Sequence, residues 1–378
     1  MCVLSLFPLR SQVEVFCYAL TPDDGSEWRR RIAREAEHFV DVSALDAAAI
    51  ARRISSDAAH VAVNLNGYTK GARNEAFALR PAPVQASYMG FPSTSGADYM
   101  AYAILDKTVC PPGSRACYSE AVAYLPHSYF VNDYAASHAD VLDDSSLPTR
   151  ASLGLPPAAV VYSCANQLYK YDPDTFGAWC RILGRVPGSV LWLLRFPPAG
   201  EARVLAEAAA RGLAPGRIVF TDVAPKAAHI ARAGLADVFL DTPACNAHTT
   251  GCDVLWGGCP VVTLPLERQA SRVCASLCAA TGLGAEMIVG SLAEYEERAV
   301  ALGLDPGARG ALRERLRAAR RTCPLFDTRR WVRDLERVLR RMWVVHCEGR
   351  GPRDFEVGPE EDAAELTAAA SGGPAAPP

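Results

Sequence analysis

The sequence has no apolar run long enough to cross a membrane and little excess of charge of either sign. A transmembrane helix needs roughly 20 consecutive apolar residues, so we expect no membrane span. The opening MCVLSLFPLRSQ lacks a basic start and a small-residue cleavage site, and we do not interpret it as a signal peptide. The formal net charge of −3 predicts no general attraction to nucleic acid or to an anionic membrane.

Several short motifs that mark other classes of protein are also missing. No GxGxxG follows the first predicted strand and no GxxxxGK[ST] occurs, which argues against a dinucleotide-dependent dehydrogenase and a P-loop nucleotidase. No DxD motif stands at the end of a predicted strand, so no metal clamp is indicated. The 13 cysteines include no paired CxxC motifs at zinc-finger spacing. We interpret them, including Cys164, Cys180, Cys252 and Cys274, as reduced core residues of an intracellular protein.

Compact apolar runs alternate with helical patterns along most of the chain. Runs such as FVDVS (39–43) and VQASYMG (84–90) predict buried strands, and the stretches between such runs predict helices. This alternation is typical of right-handed βαβ units and parallel sheets, so we expect two doubly wound α/β halves. The expected organisation is a first half at 1–131, a linker at 132–157, a second half at 158–347 that ends with a helix over Thr328 to His346, and a disordered tail at 348–378.

The most informative stretch is DVFLDTPACNAHTTGCDVLWGGCP (237–260). It predicts a short strand, a turn and a helix that opens at His248, Thr249 and Thr250. The first N–H groups of a helix lack intrahelical partners and carry partial positive charge, so this opening predicts an anion site with phosphate as its natural ligand. Asp253, about one turn further on, is placed to accept a hydrogen bond from a ribose hydroxyl. The alternative is that the threonines only cap the helix.

Further polar side chains follow other predicted strands of the same half. They are Asn166, Gln167 and Lys170 after one strand, Arg195 after the next, and Lys226, His229 and Arg232 on the helix after a third. A lysine at such a point neutralises a diphosphate leaving group, and an imidazole stacks on a base. Each residue alone is also consistent with a surface charge or a loop anchor. Because these strands belong to one parallel sheet, we expect the side chains that follow them to meet at one edge. Such a set of side chains predicts a site for a nucleoside diphosphate joined to another group.

The chain also contains NLNGYTKGARNEAFALRPAPVQASYMGFPSTSGA (64–97), NQLYK (166–170), SVLWLLRFP (189–197), VAPKAAHIARAGLADVFLDTPACNAHTTGCDVLWGGCPVVTLP (223–265) and SRVCASL (271–277). These segments closely resemble the catalytic region of the protein O-GlcNAc transferases. The resemblance implies the GT-B fold, in which two Rossmann-like halves face each other across a cleft. It also implies an inverting, metal-independent transfer of N-acetylglucosamine from UDP-GlcNAc to serine and threonine hydroxyls of nuclear and cytoplasmic proteins.

The resemblance implies a role for each matching residue, and all of these roles concern the donor. His229 packs against the uracil with the Ala224 backbone and Arg232 beside it, Lys226 and Asp253 hold the ribose, His248, Thr249 and Thr250 bind the diphosphate, and Gln167 with Lys170 steadies the leaving phosphate. Lys170 is therefore the leading catalytic candidate.

The chain departs from the family's pattern in three places. The residues ahead of EVFCYAL (14–20) contain no histidine, whereas the family's catalytic region starts with a histidine-bearing segment proposed to supply a base. No tetratricopeptide period of about 34 residues is visible, and a short linker stands where animal members have a large insert. The remaining candidates for a base are Asp57 and His60, which flank the start of the predicted strand HVAVNLNG (60–67), and His127. The alternatives are a helix end for Asp57, partly buried structural histidines, and a substrate phosphate oxygen as the base.

The leading hypothesis is therefore a GT-B glycosyltransferase that takes UDP-GlcNAc as donor, needs no metal or cofactor, and modifies serine and threonine of proteins. We expect the first half to serve the sugar and the acceptor, the second half to bind UDP, and the protein to lie in the cytoplasm or nucleus with no nucleic-acid or membrane partner. One alternative is a fragment or degenerate paralogue that binds UDP or a UDP-sugar without turnover. Others are a transferase for another UDP-sugar or a small-molecule acceptor, and a relative of the Spindly-type protein O-fucosyltransferases.

Overall fold

The computed structural model describes residues 13–142 and 147–358. The predictions for the opening residues 1–12, for part of the linker (143–146) and for the tail at 359–378 lie outside these described residues. The chain divides into two compact units. The first unit runs to Val131 and resumes at Thr328, and the second is Asn132–Asp327. No helix in the described ranges is long and apolar enough to cross a membrane.

The described residues form twelve strands and thirteen α-helices. The strands are β1 (Phe16–Ala19), β2 (His38–Asp41), β3 (Val61–Asn64), β4 (Val84–Ser87), β5 (Tyr102–Asp106), β6 (Ala121–Leu125), β7 (Val161–Cys164), β8 (Val190–Leu194), β9 (Ile218–Thr221), β10 (Val238–Leu240), β11 (Val261–Val262) and β12 (Phe355–Glu356). The helices are α1 (Glu27–Glu35), α2 (Ala47–Ser56), α3 (Asn74–Ala78), α4 (Tyr134–Ser137), α5 (Pro173–Arg185), α6 (Glu201–Ala210), α7 (Lys226–Ala233), α8 (Thr249–Trp256), α9 (Val273–Ala280), α10 (Gly284–Met287), α11 (Leu292–Leu304), α12 (Pro306–Ala319) and α13 (Thr328–Cys347).

The first unit contains a parallel sheet in the order β12-β6-β5-β4-β3 and a separate parallel pair, β1 and β2. The strands at the centre of the large sheet, β4 and β5, are almost wholly buried, as expected for a parallel sheet covered on both faces. Helix α2 begins where Asp46 accepts a hydrogen bond from the Ala49 N–H. It buries Ile50 and Ile54 against Val42, so the β1-β2 pair is held to the unit through this small core.

The second unit is built on a parallel sheet in the order β11-β10-β7-β8-β9. The chain proceeds outward from β7 through β8 to β9 and then crosses back to place β10 on the other side of β7. This reversal creates a topological switch point between β7 and β10, where ligands of doubly wound sheets bind. Helix α5 begins with Pro173, is capped by Asp172 and buries Phe176, Trp179 and Ile182.

The last long helix differs from the sequence expectation. The sequence assigned it to the second half, whereas α13 belongs to the first unit and packs on β3, β4 and β6. Its buried face carries Trp331, whose ring centroid lies 5.6 Å from that of Tyr88. An amphipathic helix covers whichever sheet face is open to it, and its own pattern does not reveal which one.

The segments predicted as linker and tail are also corrected in part. The second unit begins at Asn132, and Tyr134 is buried in it. Past α13, the chain forms β12, which pairs with the buried strand β6 that the sequence reading did not identify. The following residue, Val357, is buried. Both segments are short and flanked by polar residues, so their apolar side chains form no readable period.

Candidate functional site

The predicted donor-site residues all lie past the carboxyl ends of strands in the second unit. Gln167 and Lys170 follow β7, Ala224 follows β9 and leads into α7, and His248 follows β10 and precedes α8. The intervening segments are short, so the fold brings the two helix beginnings and the Lys170 turn to the same edge of the sheet. The sequence predicted this convergence from strand order alone.

Helix α8 opens towards this edge with unused hydrogen-bonding groups. The His248 carbonyl accepts from the N–H groups of Gly251 and Cys252 at 2.9 and 3.2 Å. Within the described ranges, the hydroxyls and backbone N–H groups of Thr249 and Thr250 have no hydrogen-bond partner. These donors at a helix N-terminus form a site suited to an anion.

The imidazole of His248 is neutral and has a defined tautomer. Its Nε2 lies 3.1 Å from the Ala270 carbonyl oxygen, which can only accept, so Nε2 carries the proton and Nδ1 is a free acceptor. Burial lowers the pKa of His248 to about 4, against the favourable effect of the Ala270 carbonyl, and the charge of Lys170 lowers it further. His248 therefore contributes no positive charge at neutral pH.

The positive charge beside α8 comes from Lys170. It lies on a short 3₁₀ turn, Leu168–Lys170, and its Nζ donates to the Asn246 carbonyl at 2.9 Å. A lysine ammonium has three donors, so two remain for a ligand. Gln167 precedes this turn, and no side-chain hydrogen bond of Gln167 forms within the described ranges.

A buried carboxylate that sequence reasoning did not single out shapes the turn between β10 and α8. Asp241 is 0% exposed and accepts from the Ala247 N–H and the Thr263 hydroxyl, both at 2.7 Å. Burial raises the pKa of Asp241 to about 6. Beside it, Asn166 donates to the Thr242 hydroxyl at 2.7 Å. The feature of the sequence that could have indicated this carboxylate is an aspartate at the end of a strand, just before a Thr-Pro turn.

The second cluster joins α7 to α8 through Asp253. This carboxylate is 5% exposed and forms an ion pair with Lys226. Tyr134 donates to its Oδ1 at 2.5 Å, and His229 Nε2 lies 3.8 Å from its Oδ2. Lys226, His229 and Asp253 were predicted together, whereas Tyr134 was missed because it falls in the stretch predicted as a linker.

His229 presents a neutral ring on α7, and Ala224 offers an unused peptide group just before that helix. Arg232 donates to His229 Nδ1 at 3.3 Å, so the ring proton lies on Nε2, towards Asp253. Burial lowers the pKa of His229, which keeps the ring uncharged. The N–H and carbonyl of Ala224 make no hydrogen bond within the described ranges. A flat neutral ring on a helix and a free peptide group ahead of the same helix are suited to a nucleobase.

The two main base candidates are not brought to a ligand-binding edge, which corrects their assignment. Asp57 ends α2, and its carboxylate is held by Tyr18 and Arg53, both at 2.8 Å. The bond from Arg53 lowers the pKa of Asp57, so it is a poor base. His60 packs on Trp343 with ring centroids 4.4 Å apart. Both residues precede β3, at the amino end of its sheet.

Two further predicted residues have other surroundings. His127 follows β6, at the carboxyl end of the first sheet, and its buried Nε2 has no partner in the described part of the chain. Arg195 pairs with Glu201 and, at 2.7 Å, with Asp222, which is the role of a loop anchor.

Among the described residues, no group of three or more His, Cys, Asp and Glu could hold a metal ion. Every cysteine there is free, and the four predicted core cysteines are buried.

Two units built on parallel sheets, one of them doubly wound and with a helix opening suited to an anion, are the architecture of the GT-B glycosyltransferases. Comparison with known proteins agrees, since the profile of glycosyl transferase family 41 matches residues 3–147 and 134–335. The chain belongs to glycosyl transferase family 41. The GT-B fold class implied by the resemblance is confirmed, as is the resemblance itself.

Two curated relatives and one solved structure show which members of the family this chain resembles. The chain is 58% identical, over 92% of its length, to the Arabidopsis thaliana probable UDP-N-acetylglucosamine–peptide N-acetylglucosaminyltransferase SEC, of which it covers 36%. It is 36% identical to the Caenorhabditis elegans UDP-N-acetylglucosamine–peptide N-acetylglucosaminyltransferase, with 90% of this chain and 39% of the relative covered. The solved structure of a mutant Thermobaculum terrenum O-GlcNAc transferase matches with a TM-score of 0.81 and 30% identity, over 92% of this chain and 65% of that one. The chain thus spans under two fifths of the length of these curated relatives.

Proposed function

We propose that this chain transfers N-acetylglucosamine from UDP-GlcNAc to serine and threonine hydroxyls of proteins. The observation that carries the proposal is the arrangement of ligand groups on one helix. Free donors at Thr249 and Thr250 stand at the start of α8, and the buried carboxylate of Asp253 stands one turn later. Four residues of helix span ~6 Å, which matches the separation of a diphosphate from its ribose.

The donor would bind along this edge in an extended form. The uracil would stack on the neutral His229 ring, and its imide edge would pair with the free peptide groups of Ala224. Lys226 and Asp253 would bind the ribose hydroxyls. The diphosphate would accept hydrogen bonds from the N–H groups at the start of α8 and from the two free protons of the Lys170 ammonium. The third ammonium proton is donated to the Asn246 carbonyl oxygen.

In the proposed reaction, the acceptor oxygen attacks C1 of the sugar from the face opposite UDP. The bond between C1 and the β-phosphate oxygen breaks, so the configuration at C1 inverts and UDP leaves with additional negative charge. Lys170 and the α8 opening stabilise that charge. Since these groups supply the charge that a metal would otherwise provide, we propose a metal-independent transfer. Asp57 and His60 are committed to structural contacts. We propose a phosphate oxygen of the donor as the acceptor of the hydroxyl proton, with His127 as the alternative base.

The acceptor and the compartment are proposals that rest on the relatives. Two of them are named as peptide N-acetylglucosaminyltransferases, and we propose protein acceptors in the cytoplasm or nucleus. No nucleic-acid partner, membrane partner or cofactor is proposed.

The test is turnover of UDP-GlcNAc by the purified chain on a serine- and threonine-rich peptide, with and without EDTA, alongside calorimetric titration with UDP. We expect UDP binding and a peptide product whose anomeric configuration is opposite to that of the donor, both unchanged by EDTA. UDP binding without turnover would support a nucleotide-binding fragment instead. Transfer from a fucose donor but not from UDP-GlcNAc would indicate a relative of the O-fucosyltransferases.

A further inference from the structure

Tyr134 lies at the entry to the second unit and is enclosed by aromatic rings. It is the first residue of the short helix α4 and is 4% exposed. Its ring centroid lies 6.0 Å from those of Trp256 and Phe326 and 5.5 Å from that of His138. This packing leaves the ring little freedom, so the direction of its hydroxyl is set by the fold.

The Tyr134 hydroxyl is part of the Lys226–Asp253 ion pair. It donates its proton to Asp253 Oδ1 at 2.5 Å and accepts from Lys226 Nζ at 3.0 Å. Burial raises the pKa of Tyr134 far above its ordinary value, so the hydroxyl remains a donor. The Lys226 ammonium also lies 5.1 Å from the centre of the Tyr134 ring.

The two carboxylate oxygens of Asp253 have different partners. Oδ1 accepts hydrogen bonds from both the Tyr134 hydroxyl and the Lys226 ammonium. Oδ2 accepts no hydrogen bond from the described residues, and His229 Nε2 lies 3.8 Å from it, beyond hydrogen-bond distance. Oδ2 is therefore the oxygen open to a ligand hydroxyl. The Lys226 side chain is 39% exposed and on its own would hold the carboxylate less firmly.

We propose that Tyr134 is a positioning residue of the donor site, which orients Asp253 so that Oδ2 accepts from one ribose hydroxyl. This inference rests on the proposed function, and it adds that Tyr134 makes the site select ribonucleotides over deoxyribonucleotides. The tyrosine touches no part of the ligand. It acts through Asp253.

The test compares Tyr134→Phe with the unchanged chain in calorimetric titrations with UDP, 2′-deoxy-UDP and 3′-deoxy-UDP. We expect Tyr134→Phe to bind UDP about 5- to 30-fold more weakly, because a charge-assisted hydrogen bond that positions Asp253 is lost. The variant should bind the deoxy analogue that lacks the relevant hydroxyl as the unchanged chain does. In turnover, KM for UDP-GlcNAc should rise while kcat changes little.

The matched control is Tyr162→Phe, which also removes a buried hydroxyl in the second unit. That hydroxyl donates to the Ala299 carbonyl at 2.8 Å, away from α7 and α8. Its loss should reduce stability but leave UDP affinity unchanged. Should Tyr134→Phe fail to fold, the same three titrations are read on Tyr134→His, which keeps a ring with a donor, and a loss of affinity that is larger for UDP than for the relevant deoxy analogue is expected.

An equal loss of affinity for all three nucleotides would assign Tyr134 a merely structural role and overturn the inference, as would unchanged affinity for UDP. The same would follow if the Tyr134→His variant folded and lost affinity for all three nucleotides by the same factor. Failure of the unchanged chain to bind UDP would instead overturn the proposed function itself, so the two failures are distinguishable.

Discussion

Lys170 provides the cationic side chain beside the start of α8, where we propose that the diphosphate binds. Its neighbour His248 is neutral, and its own ammonium is held 2.9 Å from the Asn246 carbonyl. Replacing it by alanine should lower kcat by ~10²- to 10³-fold, because a charge directed at the leaving diphosphate is lost. The measurement is peptide turnover at saturating UDP-GlcNAc, with circular dichroism to verify the fold.

Lys107→Ala is the control for Lys170→Ala. Lys107 pairs with Glu356 on an exposed surface of the first unit, and its loss should leave kcat unchanged. Full activity in Lys170→Ala would remove that residue from the mechanism.

His248 should make the stability of the protein depend on pH. Its folded-state pKa is about 4, against an ordinary value near 6.5. The stabilising contribution is therefore complete above about pH 6.5. As pH falls from 6.5 towards 4, the unfolded chain takes up a proton that the folded chain does not, so the free energy of unfolding falls by at most ~1.4 kcal/mol per pH unit.

The measurement is urea unfolding of the unchanged chain and of His248→Gln at intervals between pH 4 and pH 7, a range chosen around the value of about 4. Glutamine cannot titrate, so the variant should lose less stability over this window. A difference between the two proteins that stays constant with pH would contradict the prediction.

At the scale of elements, β12 closes the edge of the first sheet with few residues. Asp354, just before it, accepts from the Val122 N–H at 2.8 Å and pairs with Arg115. Asp354→Asn should destabilise the protein by about 1 kcal/mol, since a charge-assisted acceptor is replaced in a site that is partly exposed.

Glu356→Gln is a matched variant on the same strand. Its partner Lys107 is 59% exposed, so this change should alter stability by less than ~0.5 kcal/mol. Thermal unfolding of both variants tests the pair. Equal effects would mean that the Asp354 contacts do not hold β12 in place.

For the whole molecule, the boundary of the second unit makes a prediction about folding. Asn132–Asp327 is continuous in sequence and contains all of the proposed donor-site residues. We expect a chain of residues 132–327 to fold alone and to bind UDP as the complete chain does. A chain of residues 158–347 should bind more weakly, because it lacks Tyr134 and carries α13, whose apolar face belongs on the first sheet.

Calorimetric titration of both fragments with UDP tests this boundary. If residues 158–347 bind UDP as well as residues 132–327 do, the segment around Tyr134 is dispensable. If residues 132–327 do not fold, the second unit depends on the rest of the chain.

Much of the architecture and the site could be read from the sequence itself. Strands β2 and β4 and helix α13 lie close to their predicted positions at 39–43, 84–90 and 328–346, because apolar period and turn chemistry are properties of neighbouring residues. The convergence of Lys170, Lys226 and His248 followed from strand order, since parallel strands end at a common edge.

The tertiary structure alone decided which distant segments meet. The bond between Tyr134 and Asp253 joins residues 119 positions apart, and no local pattern encodes such a partner. The sheet that α13 covers and the pairing of β12 with β6 were decided in the same way. Asp57 and His60 had the right chemistry in sequence, but the fold placed them at the amino end of β3 and committed their side chains to structural contacts. Residue type and spacing thus determined which groups follow the strands. Packing decided which of those groups are free to bind a ligand, because only packing sets the burial and the partners of each side chain.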